Sequence, residues 1–131
     1  RINITADLRN VGRDGVVIYA KHARDIRIKA TVRNPNTSQS GTACGIRVES
    51  PSADVSLIDP DVEDTAYRMQ YGLFNSIAGS TVQIVGSARF TGAALHALRA
   101  TGQINGLPQS ARLSGRLGRI VDPTRVAFRS P

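Results

Sequence analysis

Three observations predict an α+β fold, with an N-terminal hairpin and an antiparallel sheet followed by C-terminal helices. First, Ile26, Ile28, Ala30 and Val32 alternate with Arg27, Lys29, Thr31 and Arg33, which is the period of a half-buried strand. Second, Asp14-Gly15 falls between two strand-like runs, a strong short-range hairpin signal. Third, after Thr91 the apolar residues shift toward helical spacing. A sheet with one polar face is usually antiparallel, because parallel sheets are commonly covered on both sides.

Ile2, Ile4, Ala6 and Leu8 alternate with Asn3, Thr5 and Asp7, and Val16 to Ala20 resumes the strand after the turn-forming run Asn10 to Gly15. The chain is therefore expected to open as a hairpin. The strand Ile26 to Arg33 leads through Asn34-Pro35-Asn36 and Gly41 into Thr42 to Glu49, and these two strands are expected to be neighbours. There Cys44, Ile46 and Val48 face one way and Arg47 and Glu49 the other.

Asp54, Asp59, Asp61, Glu63 and Asp64 form an acidic stretch interrupted by Pro60. Their irregular spacing favours a solvated loop over a metal site. Thr65 to Phe74 has the residue types of another strand, whereas Ser80 to Phe90 is ambiguous. Thr91 is the expected N-cap of a helix running to Ala100, with Leu95 and Leu98 on one side. Pro108 opens a second, in which Leu113, Leu117 and Ile120 fall at i, i+4 and i+7 and which Gly115 and Gly118 weaken. One domain spanning 1–131 results: mainly β over 1–76, mainly helical over 77–118, and a tail over 119–131. No internal repeat is evident.

The 131 residues carry a formal charge of +7, and Arg outnumbers Lys fifteen to two. Guanidinium forks bind phosphate in two places at once, so nucleic acid is the expected partner class. The aromatic content is three Tyr and three Phe with no Trp, which leaves the core to Val, Ile, Leu and Ala. The single Cys44 cannot form an intrachain disulfide and reads as a small buried hydrophobe. No signal-like segment and no apolar run of bilayer length occurs, so a soluble, cytosolic chain is expected.

Nothing in the chain requires an enzyme. His22 and His96 are far apart, and there is no nucleophile elbow, paired-Cys metal spacing, P-loop or dinucleotide fingerprint. His22 belongs to a basic turn between Lys21 and Arg24, and His96 is expected to pack or sit at the surface. No cofactor and no metal is expected.

The order of these segments resembles the coat proteins of the small single-stranded RNA bacteriophages. Asn10-Val11-Gly12-Arg13-Asp14-Gly15 looks like the first hairpin of the Q-beta-type coat. Asp59-Pro60-Asp61-Val62 with Thr65-Ala66-Tyr67 looks like the end of its long loop and entry into the next strand. The spacing of Ile26 to Pro51 is similar to the two central strands, and together the likeness covers roughly residues 2–105.

The resemblance implies a homodimer with helices packed over the partner, assembly into an icosahedral shell, and a virion put together in the bacterial cytoplasm without a membrane. It further implies single-stranded genomic RNA on the inner sheet face and repression of replicase translation through an RNA hairpin. By position it assigns RNA binding to Lys29, Thr31, Arg33 and Arg47, with Tyr67 as the base-stacking residue. Gly45 and Met69 depart from the family's polar positions. The four basic and hydroxyl residues equally suit the solvated side of a sheet, and Tyr67 a cross-strand packing position. The arginine-rich tail is left three placements: against RNA, as an extra strand, or on the outer surface. A cellular RNA-binding module without assembly is the alternative function, and a bacterial surface or pilus subunit a third.

Overall fold

A computed structural model describes residues 1–21, 24–51 and 54–130; His22 and its expected basic turn lie outside the described residues. The chain winds as a parallel β-solenoid, and every strand pair is parallel. The first coil holds β1 (Ile2–Arg9) and β2 (Val16–Ile18), and the second β3 (Asp25–Arg33) and β4 (Cys44–Val48). In the third, the long strand divides at Asp59-Pro60 into β5 (Asp54–Ile58) and β6 (Asp61–Glu63), followed by β7 (Tyr71–Asn75). The fourth repeats this with β8 (Thr81–Val85), β9 (Arg89–Ala93) and β10 (His96–Ala100). The fifth has β11 (Gln103–Leu107), β12 (Arg112–Gly115) and β13 (Gly118–Val121). A 3-10 turn at Pro123–Arg125 then leads into β14 (Val126–Phe128).

Stacking these coils makes two sheets. One runs β12-β9-β6-β3-β5-β8-β11-β14 with β1 also on β3, and the other runs β13-β10-β7-β4-β2. The first is bent, because β3 pairs through Ile28 with β5 and from Thr31 onward with β6. That bend creates the site described below.

Register explains why this sequence folds so. Ile26, Val55, Val82, Ile104 and Val126 lie directly above one another, as do Val16, Ile46, Leu73, Leu98 and Ile120. A third column, Val32, Val62, Phe90 and Leu113, stands under the bend's other limb. Each coil alone is too thin to bury its apolar side, and stacking supplies the cover. Fully burying side chains of this size contributes about 1.5–3 kcal/mol each. Near the end of β9 close contact dictates residue type: Gly92 has φ +88, and a Cβ there would collide with the Asp64 carbonyl.

Several expectations are overturned. The fold is all-β, with no α-helix among the described residues, so the α+β class and the helices over 77–118 are wrong. Leu98 is core because it stacks on Leu73 and Ile120, whereas Leu117 is 67% exposed. Helical spacing arose from alternating short strands and tight corners.

The opening segment is no hairpin, since β1 pairs in parallel with β3 over its whole length and β2 with β4. Likewise β3 and β4 belong to different sheets. The acidic stretch is β5, β6 and their corners, and only its Tyr71–Asn75 neighbour is strand in the expected 65–74 run. A repeat does exist, but the coil length varies from 21 residues (Leu107 to Phe128) to 30 (Val16 to Ile46). Of the three placements left open for the tail, an extra strand is observed, β14 on β11.

The alternation itself holds. Ile26, Ile28, Ala30 and Val32 are buried and Arg27, Lys29, Thr31 and Arg33 face outward. Antiparallel pairing was the wrong inference from it. In a solenoid the parallel strands wrap one core, so each sheet keeps a wet outer face without covering helices.

Candidate functional site

Where the first sheet bends, a trough of about 660 Å³ runs along the solenoid axis. One wall is the outer face of β3, β6, β9 and β12, where Thr31, Asp61, Arg89 and Arg112 are stacked in register on successive coils. At the β-sheet spacing of about 4.8 Å this column is about 15 Å long. The floor is made by the corners, with Asp59, Ser87 and Ser110 contributing polar groups. Beyond the bend, Arg27, Ser56, Gln83 and Asn105 form a second column in register on the neighbouring limb.

Ion pairs across coils fix the charged wall. Asp61 accepts from Arg33 Nη1 at 3.1 Å and Nη2 at 2.8 Å, and from Arg89 Nε at 2.7 Å. Arg89 Nη1 donates to Glu63 at 3.1 Å. Partial burial alone would raise the Asp61 carboxyl, but the Arg33 and Arg89 hydrogen bonds outweigh it and its pKa falls below the usual carboxylate value. Arg89 is in turn pushed above its ordinary value, chiefly by the bond to Asp61. The result is a rigid lattice presenting guanidinium and carboxylate edges in fixed positions.

The floor is equally braced. Asp59 Oδ1 accepts from the Ser87 backbone N–H at 2.9 Å and its hydroxyl at 3.3 Å. Arg129 Nη2 donates to the Gly86 carbonyl at 2.7 Å. Lys29 Nζ stands 3.9 Å from Asp59 Oδ2 and is 61% exposed at its side chain. Arg112 is exposed and has no carboxylate partner among the described residues.

The five residues expected to bind RNA are therefore divided among three places. Lys29 and Thr31 line the trough, and Arg33 is tied into its supporting lattice, 20% exposed at its side chain. Arg47 is on the other sheet, held by Asp14 at 3.3 Å and Glu49 at 3.7 Å and lying 5.8 Å from the Phe74 ring. Tyr67 is not in a strand but on a turn at another corner, where the Arg116 guanidinium lies 4.4 Å from its ring centroid. The two departures, Gly45 and Met69, meet in the interior: Met69 is core, and its Sδ lies against the space a Gly45 Cβ would fill.

Sequence reasoning missed Asp61, Arg89 and Arg112 as partners of Thr31. The available signal was corner chemistry, since Asp59-Pro60, Gly86-Ser87 and Pro108-Gln109 punctuate successive coils. The acidic stretch supplies ion-pair partners, and no group of three or more His, Cys, Asp or Glu suited to a metal occurs among the described residues. Nor is any helix there long and apolar enough to cross a membrane. Cys44 is fully buried, and burial pushes its thiol up to about 12.

No protein-family model, no curated protein and no solved structure matches this chain.

Proposed function

We propose that the chain is a glycan-binding solenoid whose trough holds an extended acidic polysaccharide. The observation that carries this reading is the Thr31-Asp61-Arg89-Arg112 column, which sets hydrogen-bond donors and acceptors at one-coil intervals. A sugar polymer offers hydroxyls that both donate and accept, at a repeat close to one coil. Fixed guanidinium and carboxylate edges suit it, and the unpaired Arg112 with Lys29 favours one that also bears carboxylates. Because the lattice is already ordered, little side-chain entropy is lost on binding.

Single-stranded RNA is the poorer match. Its recognition leans on aromatic faces that stack bases, and none lines the trough. A shell of interlocked dimers, as the phage-coat resemblance implies, uses helices laid over the partner, and the described residues contain no α-helix.

Binding of the purified chain to polygalacturonate, to its neutral methyl ester and to poly(U) tests the reading. Polygalacturonate is expected to bind most tightly, and Lys29→Ala with Arg112→Ala to weaken it at least about fivefold, or about 1 kcal/mol. Preference for poly(U), or a double variant that binds as well as the native chain, overturns it.

A further inference from the structure

A second concavity lies at a different corner, between β6 and β7. It has a volume of about 440 Å³ and is lined by Asn36, Gln39, Ala66, Tyr67, Arg68 and Gln70. A volume of this order suits one small ligand.

Its walls are built from below. Asp64 is buried and accepts from the backbone N–H groups of Ala66 at 2.9 Å, Arg68 at 2.6 Å and Met69 at 2.8 Å. Asn36 is buried as well: its Nδ2 donates to the Ser40 carbonyl at 3.0 Å and the Arg68 carbonyl at 2.7 Å. Both side chains are occupied by this bracing. The other lining residues with polar side chains are Tyr67, Gln39, Gln70 and Arg68. Arg116, which does not line the pocket, holds its guanidinium 4.4 Å from the Tyr67 ring centroid. Neither arginine has a carboxylate partner among the described residues.

The backbone around this pocket is in a conformation that L-residues avoid. Asn36, Gln39 and Tyr67 have φ of 57°, 54° and 53°. Asn adopts it readily, but for a bulky Tyr it is an outlier. The turn thus holds an aromatic ring, 43% exposed, where a glycine would fit the backbone better.

We propose that this pocket binds a single acidic sugar unit, the end or a side branch of the polysaccharide held in the trough. The ring's C–H face packs on Tyr67, its hydroxyls bond Gln39 and Gln70, and its carboxylate meets Arg68. This rests on the glycan reading above, but the two sites lie at separate corners and separate in experiment.

The test is NMR titration of the isotope-labelled full chain with sodium galacturonate, with galactose and with inorganic phosphate. Galacturonate is expected to shift the Gln39 and Gln70 side-chain amides and Tyr67, and galactose to shift them less. Phosphate acting as well as galacturonate overturns the sugar assignment in favour of a simple anion site. Absence of any shift overturns the site.

Tyr67→Gly supplies a control for folding, since it relieves the positive φ: its melting temperature should equal or exceed the native value while galacturonate affinity falls about tenfold. Arg112→Ala should leave the monosaccharide titration unchanged. Should polygalacturonate bind the trough normally in Tyr67→Gly while galacturonate shifts nothing in the native chain, this inference falls and the trough reading stands. Should galacturonate bind here while the trough variants change nothing, the converse holds.

Discussion

Asp61 illustrates how single residues are used twice in this molecule, since its carboxylate both joins coils and lines the trough. Its folded-state pKa lies below the unfolded value of about 3.9. The stabilisation is therefore complete above that unfolded value and is lost as pH falls through the folded one. Asp61→Asn is expected to lower the melting temperature at neutral pH and to lose that deficit in acid below about pH 4. Thermal melts of both proteins across pH check this, and a deficit that persists undiminished in acid would contradict it.

At the same scale, Cys44 combines full burial with a thiol raised to about 12. Thiolate is the reactive form. A thiol-specific reagent at pH 8 should thus leave the native chain unlabelled and react fully once denaturant is added. Rapid native labelling would show that the β4 face opens.

Elements here derive their stability from the coil above and the coil below. Phe90 on β9 sits in the column between Val62 and Leu113 and is completely buried. Phe90→Ala should cost about 3–5 kcal/mol, read from denaturant unfolding. Gly92, buried near the end of β9, is no more forgiving: Gly92→Ala combines a positive φ with a backbone collision and should cost at least about 1–3 kcal/mol. A neutral result for either would mean that the coils are not stacked as described.

Residue alternation in β3 was readable from sequence because it depends only on the strand's own period of two. Its partner was not readable. Asp14-Gly15 has the chemistry of a hairpin turn, yet the following strand continues onto β4, because a corner and a hairpin use the same turn residues.

As a whole the molecule is quasi-one-dimensional, each coil touching only its neighbours. Its ends therefore differ from its middle. In β1, Ile2 and Ile4 are each 45% exposed, and they border an apolar recess of about 230 Å³ with Tyr19 and Val17. The central strands β7 and β10 have a strand on each side. Amide hydrogen exchange should accordingly be fastest in β1 and slowest in β7 and β10. Uniform exchange along the chain would indicate all-or-none opening instead.

The candidate site shows the same division of information. Lys29 and Thr31 were identifiable because they share one strand's outer face. Arg89 and Arg112 were not, since they reach Thr31 only through stacking of coils whose lengths differ. Tyr67 stood out by residue type, but its place in a strained turn depends on Asp64 and Asn36 beneath it.

The sequence by itself determined which side chains of β3 seek water and the cationic character of the chain, because these follow from local period and charge. Only the tertiary structure decided that the strands pair in parallel, that no helix forms among the described residues, and that Thr31, Asp61, Arg89 and Arg112 share one wall. Those outcomes rest on apolar contacts between residues 21 to 30 positions apart, and a contact across a full coil leaves no periodic trace when the coils are unequal.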